Sequence, residues 1–465
     1  MNPIDSAIVV VFLLGTALYG IWQGRRNKTT SDYFLGGRNL PWIAAMFSVV
    51  ATETSVLTFI SVPGLAYQKD WYFLQIAVGF ILGRVLVSLF LLPSYFKTPI
   101  TSIYEVLGTR FGTGMQKTAS GVFLVTRVLA DGVRFLATAV IVQVITGWSI
   151  SFSVLIIGLV TLVYTLLGGI RTIVWVDSFQ FILYLSGGLL TIAYILVQSD
   201  VSLIDLFTNL FQEGKFNILR LDLGSVGHDP WFVGNALFGG ILLSFASHGA
   251  DYMMVQRVLG TRNLQAARKA IVGSGLFVFI QFTIFLLAGS LIYSFLQGMS
   301  LPKDRELSTF IVNYLPVGLK GILLAGVLSA AMSTLSSSIN SLASSTIIDW
   351  FRGSSLRMSR MVSLIWAFVL IGIALLFDEG DTAIIELGYQ IASFTYGGLL
   401  GLFLLSRSRY EFHSLSLGVG LVSSMVFVFI LKQQGIPWTW FIGLSVLTNV
   451  LLTAITERLL RGTHV

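Results

Sequence analysis

The sequence predicts an all-α membrane protein with about thirteen transmembrane helices. Three observations carry this reading. Of 465 residues, 55% are hydrophobic and only 11% charged, against about 25% charged in a soluble domain. Apolar runs of roughly twenty residues, the length that crosses hydrocarbon as a helix, recur along the whole chain. Lysines and arginines gather in the short connections between these runs and favour every second connection.

Each span follows in order. Residues 1–6 carry Asp5 and no basic residue, whereas Arg25, Arg26 and Lys28 follow the first apolar run, about 5–23. That is the reverse of a signal peptide and predicts a retained helix with its N-terminus outside. The next spans are about 40–67, 71–96, 118–146, 150–168, 174–198, 230–256 and 270–297. The 308–348 run is too long for one crossing and is expected to tilt or extend past the membrane. Spans at about 359–377, 382–405, 413–431 and 438–457 complete the set. With the N-terminus outside, nineteen of the 29 basic residues fall inside and seven outside, while Arg84, Arg127 and Arg134 lie within spans. The bias predicts an odd number of crossings and a cytoplasmic C-terminus. The connection 199–229 is then external, and its amphipathic stretch 202–211 is expected on the surface.

The same features narrow the function. No polar stretch is long enough for a separate soluble domain. Cysteine is absent, which removes disulfides and thiolate metal sites. The formal charge of +7 sits where topology needs it, so the expected surroundings are a lipid bilayer, with no nucleic acid and no obligate protein partner. There is no phosphate-binding glycine loop, no zinc motif and no nucleophile–base pairing, so an enzyme is not expected.

Ionisable groups in hydrocarbon are costly unless paired or hydrated, which singles out Glu53, Arg84, Arg127, Asp131, Arg134, Asp177, His248, Asp251 and Glu386. Asp131 and Arg134 lie three apart on one helix face, suiting either mutual neutralisation or contact with a solute. Ser333, Ser336, Ser337, Asn340 and Ser344 fall on one face of the ninth span, with Thr334 and Ser341 beside them. Hydroxyl oxygens are hard, neutral ligands suited to a monovalent cation that must also leave. In the second span, Ser48, Thr52, Glu53, Thr54, Ser55 and Thr58 crowd the midplane, a poor setting for a continuous helix. An unwound stretch with free carbonyls is expected there, as in ion-coupled transporters. Ser244, Ser247, His248, Gly249 and Asp251 would permit a similar break in the seventh span.

These residues resemble the sodium:solute symporter family. Asp32-Tyr33-Phe34-Leu35-Gly36-Gly37-Arg38 looks like the signature after its first helix, and Gly168-Gly169-Ile170-Arg171-Thr172-Ile173-Val174-Trp175-Val176-Asp177-Ser178-Phe179-Gln180 like its mid-chain motif. Met254-Val255-Gln256-Arg257 and the serine-rich ninth span also match, and the resemblance runs from about residue 32 to 405. It implies a five-plus-five inverted-repeat core of the leucine-transporter type, with extra N- and C-terminal helices. The divisions would be 1–39 for the first extra helix and its loop, 40–198 and 230–405 for the repeats, 199–229 for the external loop, and 406–465 for two final helices.

The resemblance further implies sodium-coupled symport of a small polar organic solute by alternating access, in a bacterial inner membrane. The main sodium site would use the carbonyls of Ala51, Thr54 and Ala330 with the hydroxyls of Ser333 and Thr334. Some members hold a second ion, which here would fall to Asp177, Ser336 and Ser337, so one or two Na+ are expected. By position, the solute pocket would draw on Glu53, Ser55, Thr58, Gln75, Asp131, Arg134, Ser247, His248 and Gln390. Glu53 departs from the neutral hydroxyl of the sialic acid members, and Ala130 stands where their span-four arginine falls, which argues against sialic acid. Carboxylate and amide acceptors suit the hydroxyls of a sugar or polyol first, then an amino acid or carboxylate. A proton-coupled symporter and a passive uniporter or channel of the same fold are the alternatives.

Overall fold

The computed structural model describes residues 2–351, 355–376 and 384–462, with side chains for all of these except 57, 225, 384–393 and 462. Among the described residues the regular structure is helical, and nine helices are long and apolar enough to cross a membrane. Helix α1 (Pro3–Gly24) leads into the short α2 (Thr30–Leu35), whose start is a capping box between Thr29 and Asp32. The second apolar stretch is a bent pair, α3 (Trp42–Glu53) and α4 (Val56–Gln68), turned by 61° at the break. Then come α5 (Phe73–Leu86), continued through a π-turn into α6 (Leu92–Tyr95), and the short α7 (Tyr104–Phe111). Two long helices follow, α8 (Thr113–Thr146) and α9 (Ile150–Gln198).

The second of these is not one straight rod. Gly169 within it has φ 61° and ψ −166°, a conformation open to glycine alone. A Cβ there would also meet the Tyr33 carbonyl oxygen at 2.7 Å. This break separates the stretches that the hydropathy pattern places at 150–168 and 174–198.

The connection 199–229 carries α10 (Leu203–Gln212), an amphipathic helix, as its pattern predicts. The seventh apolar stretch is α11 (Val233–Gly249) and α12 (Tyr252–Leu259), parted at Ala250 and Asp251, with the Asp251 carboxylate accepting from the Met253 amide. After α13 (Leu264–Phe295) the structure refines the sequence reading. The 308–348 run divides into α14 (Glu306–Asn313) and α15 (Leu319–Ser345), and α15 continues through a π-turn to Trp350, 32 residues in all. Pro316 and Gly318, the latter at φ 89°, turn the chain between them. Helices α16 (Leu356–Leu376), α17 (Ile384–Leu405), α18 (Ser414–Gln433) and α19 (Phe441–Gly462) complete the chain.

Helix α15 is the axis of the molecule. It packs on α9, α8, α1, α16 and α3, and every residue from Leu323 to Ser345 is buried. Its glycines, alanines and serines allow that approach on all sides, the way helices associate without a hydrophobic drive inside lipid. The first helix is fixed to this unit at both ends. Asp5, buried, accepts from the amides of Gly318 and Gly321 at 2.7 and 3.0 Å, capping the start of α15. Towards the other end, Gly20 and Gly24 lie so close to Tyr164 and Leu167 of α9 that a Cβ would approach them within 2.2 and 2.4 Å.

Candidate sodium and solute sites

The break after Glu53 frees backbone oxygens. Thr54 leaves helical geometry at ψ 83° and Ser55 is extended at ψ 172°. The helical partner of the Ala51 carbonyl is the Ser55 amide, which donates instead to Glu53 O at 3.0 Å. The partner of the Thr54 carbonyl is the Thr58 amide, which donates to Ser55 O at 3.0 Å. The carbonyls of Ala51 and Thr54 are therefore outside the helical ladder. Thr52, Thr54 and Thr58 disfavour helix through their branched Cβ atoms, and Ser55 competes for the backbone. The Thr54 hydroxyl donates to Gln281 Oε1 of α13 at 3.0 Å, which props the break from behind.

Helix α15 faces this break. Thr52 Oγ1 lies 3.0 Å from Ser337 Oγ, and Ser333 stands one turn earlier on the same face. Ser333 Oγ is buried and has no hydrogen-bond partner among the described residues. Thr334 donates to Ala330 O at 3.3 Å, and Ser336 to Ser333 O at 3.0 Å. Further along the helix, Asn340 accepts from Gln256 at 2.8 Å and Ser344 meets Tyr252 at 2.7 Å. The predicted serine stripe is a line of buried polar contacts.

Asp177, on α9 beyond the Gly169 break, lies beside the stripe. Its Oδ2 accepts from Ser48 at 2.5 Å and from Thr52 at 3.4 Å, while Oδ1 has no partner among the described residues. Arg257 of α12 lies 3.7 Å from Oδ2 and also donates to Ser48, Ser337 and the Met253 carbonyl. Both charged side chains are fully buried.

The predicted solute residues divide into groups. Glu53 is paired with Arg84 of α5, which also donates to Ser274, and His248 Nε2 lies 3.6 Å from the same carboxylate. Ser247 Oγ meets His248 Nδ1 at 2.9 Å. Asp131 is shared between Arg127 at 3.6 Å and Arg134 at 3.4 Å, and it accepts from Ser338. Arg127 reaches on to Asp251, which accepts from Tyr396 at 2.5 Å. Ser55, Asp131, Arg134, Thr138, Thr334 and Leu335 line one narrow cleft of about 10 Å³, which has room for a single water molecule. Thr58 is buried and is not among the residues that line it. Gln75 is elsewhere. Its amide donates to the carbonyls of Tyr72 and Trp231, tying the start of α5 to the chain before α11. Gln390 and Glu386 lie outside the described side chains.

Sequence reasoning placed Arg84 among the intramembrane charges but not with Glu53, and it missed Gln281. A glutamine in the middle of the apolar stretch 270–297 was the available signal. A second cavity, of about 300 Å³, opens near the ends of α4 and α5 between Asp70, Tyr72, Arg220, Trp231 and Asp304. Burial raises the Asp70 carboxyl above its usual range, against the lowering effect of the Tyr72 amide and nearby cations.

The model of the sodium:solute symporter family matches residues 33–407, most of the chain. This chain belongs to that family. The symporter is 29% identical over 347 residues to a sodium/sialic acid symporter of Proteus mirabilis, covering 73% of this chain and 70% of the relative. It is 26% identical over 446 residues to a putative sodium-dependent multivitamin transporter of Drosophila melanogaster, covering 91% and 73%. Among solved structures, the substrate-bound outward-open state of a Na+-coupled sialic acid symporter superposes with a TM-score of 0.89 at 25% identity, over 98% of both chains. A nucleobase-cation-symport-1 family transporter in a closed conformation shares the fold at a TM-score of 0.61 and 15% identity, over 94% of this chain and 96% of that one. The symporter is thus an integral membrane transporter, not an enzyme, and it couples the movement of a small solute to sodium.

Proposed function

We propose that this symporter binds its main sodium ion among the carbonyls of Ala51, Thr54 and Ala330 and the hydroxyls of Ser333 and Thr334. One observation carries the reading: two carbonyls released from the helical ladder face a helix whose Ser333 hydroxyl is buried and unpartnered. Five neutral hard oxygens would hold a monovalent cation without trapping it. The ion ties α3 and α4 to α15. Sodium then favours the outward-open form, solute completes closure, and loss of sodium inside releases the solute.

In this reading α9 makes two crossings divided at Gly169, while α3–α4 and α11–α12 are each one broken crossing, giving thirteen in all. They group as two inverted repeats, 40–198 and 230–405, with the external loop 199–229 between them and extra helices at 1–39 and 406–465. The N-terminus is outside and the C-terminus in the cytoplasm of a bacterial cell, with the chain in the inner membrane.

The solute is a small polar molecule held beside the break. Ser55, Thr58, Thr138, Thr334 and Asp131 offer hydroxyl-pairing groups suited to a sugar or polyol. A second reading, a solute bearing a carboxylate, rests on Arg134. It lines the cleft with 15% of its side chain exposed, while Arg84, Arg127 and Arg257 are enclosed. Uptake of labelled sugars, polyols, amino acids and carboxylates into proteoliposomes, with and without an inward sodium gradient, separates these. Sodium-driven accumulation of one class names the solute. Accumulation driven only by protons would move the coupling to Asp177 or Glu53, and equilibration without accumulation would make the protein a uniporter.

A further inference from the structure

A groove of about 860 Å³ opens on the surface between α1, the part of α9 after the Gly169 break, and the start of α15. Phe12, Val176 and Ala325 are buried and form its floor, while Val11, Trp175 and Phe179 are exposed and form its rim. Among the described residues no charged side chain lines it. Its two hydroxyls are engaged on α1 itself. Thr16 donates to the carbonyls of Phe12 and Leu13 at 2.8 and 2.9 Å, and Tyr19 accepts from Gln23 at 3.0 Å. The groove presents carbon alone. It follows from the way α1 is held: Gly20 and Gly24 draw that helix onto α9 before its break, whereas a Cβ at Gly15 meets nothing within 4 Å.

One end of the groove is charged. Ile8, Val11, Gly15, Tyr19, Trp22 and Arg26 follow one another at spacings of three and four, which puts them on one face of α1. The Trp22 ring lies 5.8 Å from that of Tyr19, and the Arg26 guanidinium lies 4.9 Å from the Trp22 ring. Arg25, Arg26 and Lys28 are all exposed here. Carbon, then aromatic rings, then fixed positive charge is the layering that matches an acyl chain, its interfacial esters and a phosphate. We propose that this groove binds an anionic phospholipid, with one acyl chain between α1, α9 and α15 and the phosphate at Arg25 and Arg26. From Ile4 to Tyr19 the groove follows about 22 Å of helix, enough for a chain that fills one leaflet of about 15 Å. Its mean cross-section is then about 40 Å², half that of a helix about 10 Å across, so a helix of a second copy would not reach the floor. An acyl chain does, and it restores the dispersion contacts that an unfilled groove forfeits. The site is independent of the sodium ligands. Only the naming of its leaflet as the inner one rests on the topology proposed above.

Native mass spectrometry of the full chain, offered equal amounts of phosphatidylglycerol and phosphatidylcholine in detergent, tests this. The wild type should carry one phosphatidylglycerol per chain in preference to phosphatidylcholine. Arg25→Gln with Arg26→Gln leaves the groove intact and should cut that preference by about fivefold for each arginine removed. Gly15→Trp fills the groove and should carry neither lipid. A wild type that carries no lipid, or carries the two lipids equally, overturns the proposal. So does a double variant that keeps the wild-type preference, or a folded Gly15→Trp that still binds lipid. Wild-type dimers that become monomers in Gly15→Trp would assign the groove to a second copy and reject the lipid. Should Gly15→Trp not fold, the preference of the wild type and its loss in the double variant decide. Failure of the sodium reading would appear in the uptake assay and leave these lipid counts unchanged.

Discussion

Arg84 reaches from α5 to the Glu53 carboxylate at the point where α3 stops being a helix. The pair closes a gap of 31 residues in sequence. It lies at the break of the bent pair α3–α4, with the arginine fully buried and the glutamate 16% exposed.

Breaking this pair should be costly in one direction and cheap when both partners go. Arg84→Met leaves a carboxylate without its cation and should destabilise the protein by about 3–5 kcal/mol. The double variant Glu53→Gln with Arg84→Met should recover most of that loss. Thermal unfolding in nanodiscs, read as a double-mutant cycle, measures the coupling. Additive losses would mean that the two side chains act independently.

Ser333→Ala should weaken sodium binding about 10- to 100-fold, the effect of losing an interaction of ~1.5–3 kcal/mol with a charged partner. Thr334→Ala should do the same, whereas Thr334→Ser keeps the oxygen and should stay close to wild type. The sodium dependence of uptake gives the shift. An unchanged half-saturating sodium concentration in Ser333→Ala would remove that residue from the site.

Glu306, in α14 outside the spans, is buried and accepts from Gln68 at 2.8 Å. Burial raises its carboxyl above the usual glutamate range, with the Gln68 hydrogen bond only partly offsetting this. The folded protein therefore holds this proton more tightly than the unfolded chain does. The associated stability is present below the ordinary glutamate pKa and is lost as pH rises through the raised one. Glu306→Gln cannot ionise, so its melting temperature should gain on the wild type as pH increases from about 4 to 8. A difference that stays constant across that range would show that the buried carboxyl does not control the contact.

Gly169 and Gly147 separate crowding from backbone strain. Both have positive φ, 61° and 78°, but a Cβ at Gly147 meets nothing within 4 Å. Gly147→Ala should cost only the left-handed penalty of about 1–2 kcal/mol. Gly169→Ala adds a clash with the Tyr33 backbone and should exceed the ~1–3 kcal/mol of strain alone. Comparable melting temperatures for the two variants would contradict this account of the break in α9.

Features that depend on local pattern were readable in the sequence. The break at Thr54 and Ser55 follows from hydroxyl and β-branched residues in an apolar run, and the serine stripe follows from helical spacing. The α14–α15 division was signalled by Pro316 and Gly318, but the apolar composition on either side hid it in a hydropathy reading. Partnerships across the fold were not readable. Arg84 could have met any of several acids, and only the packing of α13 against both α5 and α3 brings it to Glu53. Arg257 and Asp177 both stood in recognised motifs 80 residues apart, with nothing in either to say that they touch.

The capping of α15 by Asp5 turns the outermost helix into an external handle on the innermost one. Leu18 is 64% exposed on the far side of α1. Because the chain has no cysteine, Leu18→Cys would create a unique attachment point for a spin label or fluorophore. A probe there would report the attitude of the serine-bearing helix during turnover while remaining clear of the ion, the solute and the cleft.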